Sequence, residues 1–333
     1  MNAFLYLTET VPIPEGAQSL YPESTGDFWQ GLGEIFSKVL SLLDGELSGA
    51  LSCCGAILVV CVLCSLFRLA PFAKGQQAAE LCGAAAIGAI CLEDTASLFS
   101  LGADTVISLC EYAGVLMPVL TASLAGSGMV SSAGGMYAGT ILVTQILSQG
   151  VRSLLFPLLR CYLALGFAGS FVSDELFSKL RDLIKALLTW GLKGVLYAFS
   201  GYMMLTRVIS GAADKTAVKA AKVALSSVVP VIGSLLSDSS ETLVLSADLL
   251  RGTLGVGGML AVVALCAGPF VRLGVRYLIL KATAALAQVV GSKNHAGLVD
   301  TLSTAMGLNL AVTGVCCMIL LIACVCFMKG AGG

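Results

Sequence analysis

Apolar residues fall along this chain in long unbroken runs rather than at alternating positions. The runs are Leu51 to Ala70, Ala78 to Leu101, Thr105 to Leu124, Tyr137 to Val151, Ser153 to Val172, Leu183 to Leu205, Leu254 to Val271 and Leu302 to Met328. About 18 apolar residues suffice to cross a bilayer as a helix, so the pattern predicts six to eight spans. Two runs are weaker. Tyr137 to Val151 is short and carries Gln145 and Gln149, and Ala78 to Leu101 carries Glu80 and the pair Glu93-Asp94. Between Leu124 and Tyr137, the sequence GSGMVSSAGG at Gly126 to Gly135 has no hydrophobic period and predicts a flexible connection. The expected fold class is all-α, a polytopic transmembrane helical bundle with a broken or re-entrant central segment.

Composition agrees with this reading. The chain is 57% hydrophobic and 12% charged, with a mean hydropathy of +0.93, whereas soluble domains carry charge on about a quarter of their residues. Its 19 basic and 20 acidic residues are too few to clothe a soluble domain of 333 residues. A net charge of -1 argues against a nucleic-acid surface. The 13 cysteines lie almost entirely inside apolar runs, where cysteine acts as a small apolar residue. Cys61-x-x-Cys64 has the spacing of a zinc or redox half-site, but neither a second pair nor a nearby histidine completes it. Small residues, as in CGAAAIGAI at Cys82 to Ile90 and in Gly135-x-x-x-Gly139, allow helix backbones to approach closely.

Residues 1–50 form a separate compositional block, first rich in Pro, Glu and Ser, then amphipathic from Phe28 to Leu47. Its scarcity of Lys and Arg predicts an extracytoplasmic position, ahead of a membrane domain over 51–333. Phe4 to Leu7 is too short for the apolar core of an export signal, and no Lys or Arg precedes it. Either the first span directs targeting or the start lies further upstream.

Basic residues give an orientation. Arg68 and Lys74 follow the first span, Arg207 with three lysines follows the Leu183 span, and Arg272, Arg276 and Lys281 follow the Leu254 span. All three clusters are expected on the cytoplasmic side. Parity then asks one of the four candidates between Lys74 and Arg181 not to cross. It also asks the chain to change sides between Lys222 and Leu254.

That central stretch is the least explained by membrane burial. Asp214 precedes Lys215, Lys219 and Lys222, which share one helical face. Val223 to Leu236 is apolar but only 14 residues long, about 21 Å as a helix against a hydrocarbon layer of ~30 Å, and Pro230 and Gly233 interrupt it. Asp238, Glu241, Asp248 and Arg251 follow. The segment reads as a broken crossing shielded by neighbouring helices, or as a re-entrant or interfacial helix with one basic cluster misplaced. These ten residues are the candidates for topology and assembly.

The templates of catalysis fail for physical reasons. There is no Gly-Lys-Ser/Thr to cradle a phosphate. His295 is the one histidine, in the polar stretch GSKNHAG, and is expected in a solvated loop. RGTLGVGG at Arg251 to Gly258 resembles a dinucleotide loop, but Leu260 replaces the last glycine. Ionisable groups inside spans are a better lead, because charge at depth requires a partner or a watery path. Glu93-Asp94, Asp104, Glu111, Arg160 and Lys193 qualify, with span-end proximity or snorkelling as the plainer explanation. No catalytic residue, metal or cofactor is expected.

The order of Asp214, the three lysines, SSVVPVIGSLLSDSSETL and a Gly-rich start to a span resembles the stage III sporulation protein AE family. The resemblance is specific in the central stretch and compositional elsewhere. It implies a non-enzymatic, multi-pass subunit in the mother-cell membrane around the forespore, part of a secretion-like channel joining the two cells. It implies as partners the other membrane proteins of the same operon, including ring-forming components, and a cytoplasmic ATPase. The alternative is a free-standing secondary transporter for a small solute, for which helices broken by Pro and Gly are also the expected device.

Overall fold

The computed structural model describes residues 13–22, 27–68, 73–171, 175–228, 233–290 and 293–329. After a single 3-10 turn at Glu15–Ala17, the chain forms α1 (Phe28–Arg68), α2 (Ala73–Gly126) and α3 (Val130–Gly150). A π-helical turn (Val151–Leu155) leads into α4 (Phe156–Phe171), followed by α5 (Glu175–Val228), α6 (Gly233–Val289) and α7 (Lys293–Lys329). No strand occurs among the described residues. Among the described residues, six helical stretches of 36–49 residues are long and apolar enough to cross a membrane. At 1.5 Å per residue they measure about 54–74 Å, so each exceeds a ~30 Å hydrocarbon layer even when tilted.

Several apolar runs that read as separate spans are joined in one helix. Ala78 to Leu101 and Thr105 to Leu124 both belong to α2, because the residues between them, Gly102 to Asp104, continue the helix. Tyr137 to Val151 and the following run from Ser153, described to Phe171, are likewise continuous through the π turn. The cause of that turn is Pro157. It has no N–H to donate and its ring crowds the preceding turn, and the ladder widens so that Phe156 N–H donates to Val151 O. The predicted flexible connection at Gly126 to Gly135 shrinks to a turn at Ser127–Met129, with Gly128 at φ 87°. Ser132 and Ala133 are already buried in α3.

Neighbour contacts fix the directions. α6 and α7 are antiparallel: a side chain at Gly255 would overlap Met328, and Tyr277 lies against Gly307. Lys281 pairs with Asp300 farther along. α2 runs parallel to α7, with Asn294 donating to Glu80 at 3.0 Å and Asn309 donating to Leu98 O at 2.8 Å. α5 also runs parallel to α7, through Arg181 to Thr301 at one end and Arg207 to Cys326 at the other. α2, α6 and α7 make the centre; α1 packs on α2 and α6, and α5 packs chiefly on α3, α4 and α7. Edge-to-face packing of Phe99 on Phe156, centroids 6.3 Å apart, ties α2 to α4. The segment before α1 lies on α6, where the Tyr21 hydroxyl donates to Gly257 O at 3.5 Å and burial raises its phenol pKa above the usual 10.0.

These directions correct the orientation argument. Arg207 and Gly255 both sit beside the last turns of α7, so the chain leaves and re-enters the bundle at one end between them. Return to the same end is what the re-entrant or interfacial reading expects and the broken crossing does not. The end of α1 and the start of α2 lie at the opposite end, where Cys64 meets Gly83 beside His295. The three basic clusters cannot share one face. The rule misled because it weighs charges in loops, whereas Arg272 and Arg276 stand inside a continuous helix. α1 also runs through residue 50 without a break.

A charged cleft at mid-height

Three helices bring opposite charges together within the bundle. Arg276 on α6 donates from Nη2 to Oδ1 of Asp94 on α2 at 2.8 Å. One turn earlier, Arg272 Nε meets Glu46 Oε1 of α1 at 2.8 Å. The register follows from parallel packing of α1 on α6, which also sets Gly49 beside Arg276 and lets Thr283 donate to Cys54. Arg276 is 15% exposed and Asp94 32%, whereas Arg272 is 53% exposed. The first pair is thus the better shielded. Arg276 stands about 20 Å along the helix from the Val289 end.

Around the pairs opens a polar cavity of about 290 Å³, lined also by Ser97, Ser100 and Asp104. Those three are exposed, at spacings of three and four that put them on one face of α2. Three carboxylates face two guanidinium groups, leaving Asp104 as the surplus charge. Behind the cleft, fully buried Asn309 reaches α2: its amide donates to Leu98 O, while its Oδ1 has no partner. Gly102 makes this possible, since a Cβ there would overlap the Asn309 carboxamide. A short side chain at 102 and an amide at 309 are therefore one packing unit.

Chemically the cleft offers fixed charges and hydroxyls in an apolar bundle, the arrangement expected of a polar path or a charged contact surface. Among the described residues, no group of three or more His, Cys, Asp or Glu is placed to hold a metal ion. Cys61 and Cys64 are buried in the bundle, and the Cys64 thiol donates to Ala79 O at 3.4 Å.

The ionisable residues singled out by sequence divide into three. Asp94 and Asp104 belong to the cleft. Glu93 and Glu111 are exposed on α2, and Arg160 lines a separate, mostly apolar groove of about 390 Å³ between α2 and α4. Lys193 is exposed on α5. The topology candidates are distributed along two helices: Asp214, Lys215, Lys219 and Lys222 in the last part of α5, and Gly233, Asp238, Glu241, Asp248 and Arg251 in the first part of α6. Their side chains, and Pro230 altogether, lie outside the described residues.

His295 is a correction. It is not in a solvated loop but 2% exposed in the first turn of α7, with Nε2 3.0 Å from Glu80 O. The helix begins at Lys293 and docks at once on α2, which carries the histidine inside. Gly252 to Gly258 is helical too. Its glycines serve close packing: Gly255 against Met328 and Gly258 against Leu116. Sequence reasoning missed Glu46, Arg272, Arg276 and Asn309 as partners. A signal was present in the arginines, spaced four apart directly after an apolar run.

A family model described as Stage III sporulation protein AE matches residues 18–331. The chain is similar to the stage III sporulation protein AE of Bacillus subtilis (strain 168), at 21% identity over 188 residues, covering 56% of this chain and 47% of the relative. The match thus spans about half the length of that curated relative. No solved structure matches.

Proposed function

This chain belongs to the stage III sporulation protein AE family, and on that premise we propose that it is a non-enzymatic membrane subunit of a secretion-like channel between mother cell and forespore. The observation that carries the reading is the charged cleft, a polar surface with a surplus carboxylate built into a bundle of six membrane-length helices. A protein that only anchored others would not need ion pairs at that depth. The protein resides in the mother-cell membrane around the forespore. Its partners are the other membrane proteins of the operon, with a separate ATPase supplying energy, since no P-loop occurs in the sequence.

The alternative of a free-standing solute carrier rested on a crossing broken near its middle. Return of the chain to the end it left weighs against that crossing and for the channel reading. Deleting the gene in its spore-forming host tests the proposal. The expected result is arrest after the forespore is engulfed, with late forespore gene expression lost and restored by the intact gene. Full-sized, resistant spores from the deletion strain would refute it.

A further inference from the structure

Two polar features at mid-height are left without partners by the fold. Lys193 lies halfway along Glu175–Ser210, on an exposed stripe with Trp190, Tyr197, Gly201, Met204 and Val208 at helical spacing. Trp190 is 81% exposed and Tyr197 70%. Lys193 has no acidic partner among the described residues. A Cβ added at Gly194 or Gly201 would meet nothing within 4 Å, so the backbone of α5 is open to close approach by another helix. α5 is the least buried of the six, with 17% of its apolar window inside the bundle.

The second feature is the cleft. It lies on a different flank, framed by α1, α2 and α6, while α5 packs chiefly on α3, α4 and α7. Asp104, its surplus carboxylate, is halfway along Ala78–Gly126 and likewise has no basic partner among the described residues. Since α2 and α5 both run parallel to α7, Asp104 and Lys193 stand at matching heights. Hydrocarbon solvates neither an open polar cleft nor a lone ammonium group.

We propose that Lys193 of one copy enters the cleft of a second copy and pairs with Asp104 there. The charges are complementary, +1 against a surplus of -1, and the tall glycine-bearing stripe of α5 meets the hydroxyl-lined face of α2. Donor and acceptor surfaces differ, so the contact is head-to-tail and repeats into a ring or an open array. It places the cleft at a subunit boundary. The inference uses the cleft of the channel reading, but it is read out as self-association in membranes, which is independent of any effect on spores.

The test co-expresses two differently tagged copies of the full chain and measures how much of one is captured with the other in mild detergent. Lys193→Glu in both copies, or Asp104→Lys in both copies, is expected to lower capture about tenfold or more. A Lys193→Glu copy and an Asp104→Lys copy should capture one another, because both contacts between them join opposite charges, the reversed pair in one direction and the wild-type pair in the other. A photo-crosslinking residue at Trp190 should attach to α2 of the second copy. Absence of capture between wild-type copies would overturn the proposal. So would unchanged capture in the single variants, failure of the two variants to capture one another, or attachment from position 190 to another protein alone.

Discussion

Replacing Asp94 by Ala strips Arg276 of the carboxylate 2.8 Å away while the guanidinium stays 15% exposed. Two unit charges ~4 Å apart attract by about 4 kcal/mol at an effective dielectric of ~20. Asp94 is about one-third exposed, so screening roughly halves this, to a coupling of about 2 kcal/mol. The single variant should lose more, about 2–4 kcal/mol, because the orphaned cation remains in an apolar setting. The outer pair, Arg272 with Glu46, serves as the internal comparison. Arg272 is 53% exposed, and its coupling should stay under about 1 kcal/mol. The assay is a double-mutant cycle on both pairs, using detergent-driven unfolding in mixed micelles followed by circular dichroism. A coupling for Asp94 and Arg276 below about 0.5 kcal/mol, or one smaller than that of the outer pair, would refute this account of the cleft.

Gly102→Ala should destabilise by about 1–3 kcal/mol through overlap with Asn309, and adding Asn309→Ala should recover most of that loss; no recovery would mean the two residues are not one packing unit. His295→Ala should cost about 1–3 kcal/mol by emptying a buried site and removing the hydrogen bond to Glu80 O, measured in the same unfolding assay, and an unchanged midpoint would contradict the buried placement. Impermeant labelling of single reactive residues introduced at Ser210 and Gly252 should report the same side of the membrane, with a label at residue 70 on the other; opposite sides for 210 and 252 would restore the broken crossing. Pro157→Ala should let Phe156 and its neighbours resume α-helical bonding, turning α4 relative to α3 and loosening the Phe99–Phe156 contact. Solvent access at position 99 checks this, and an unaltered rate would show that the π turn has another cause.

What the sequence made legible was set by energy scale. Burial of apolar runs dominates, so class, span-forming capacity and even the family stood out at once. The joins did not, because Gly102 to Asp104 and Gly150 to Ser153 look like interruptions until the whole length is seen to be helical. Charges were harder for a related reason. Asp94 and Asp104 were identifiable as costly groups at depth, but Arg276, the partner of Asp94, lies on α6, and the neighbouring pair of Arg272 with Glu46 depends on the parallel register of α1 and α6. Arg272 and Arg276 follow an apolar run just as loop residues would, and nothing local marks them as paired. His295 was misplaced by its polar neighbours, although α7 begins at Lys293 and docks on α2 within its first turn. The central lysines and carboxylates carried the family resemblance through their order alone, and their placement on α5 and α6 adds only their helical setting.

The most direct measurement is the yield of heat-resistant spores from the host when the chromosomal gene carries charge reversals in the cleft at normal protein levels. Asp94→Arg alone and Arg276→Asp alone should lower the yield to that of the deletion strain, and the two together should restore it substantially. Wild-type yield from either single reversal would contradict a working role for the cleft in the sporulation channel.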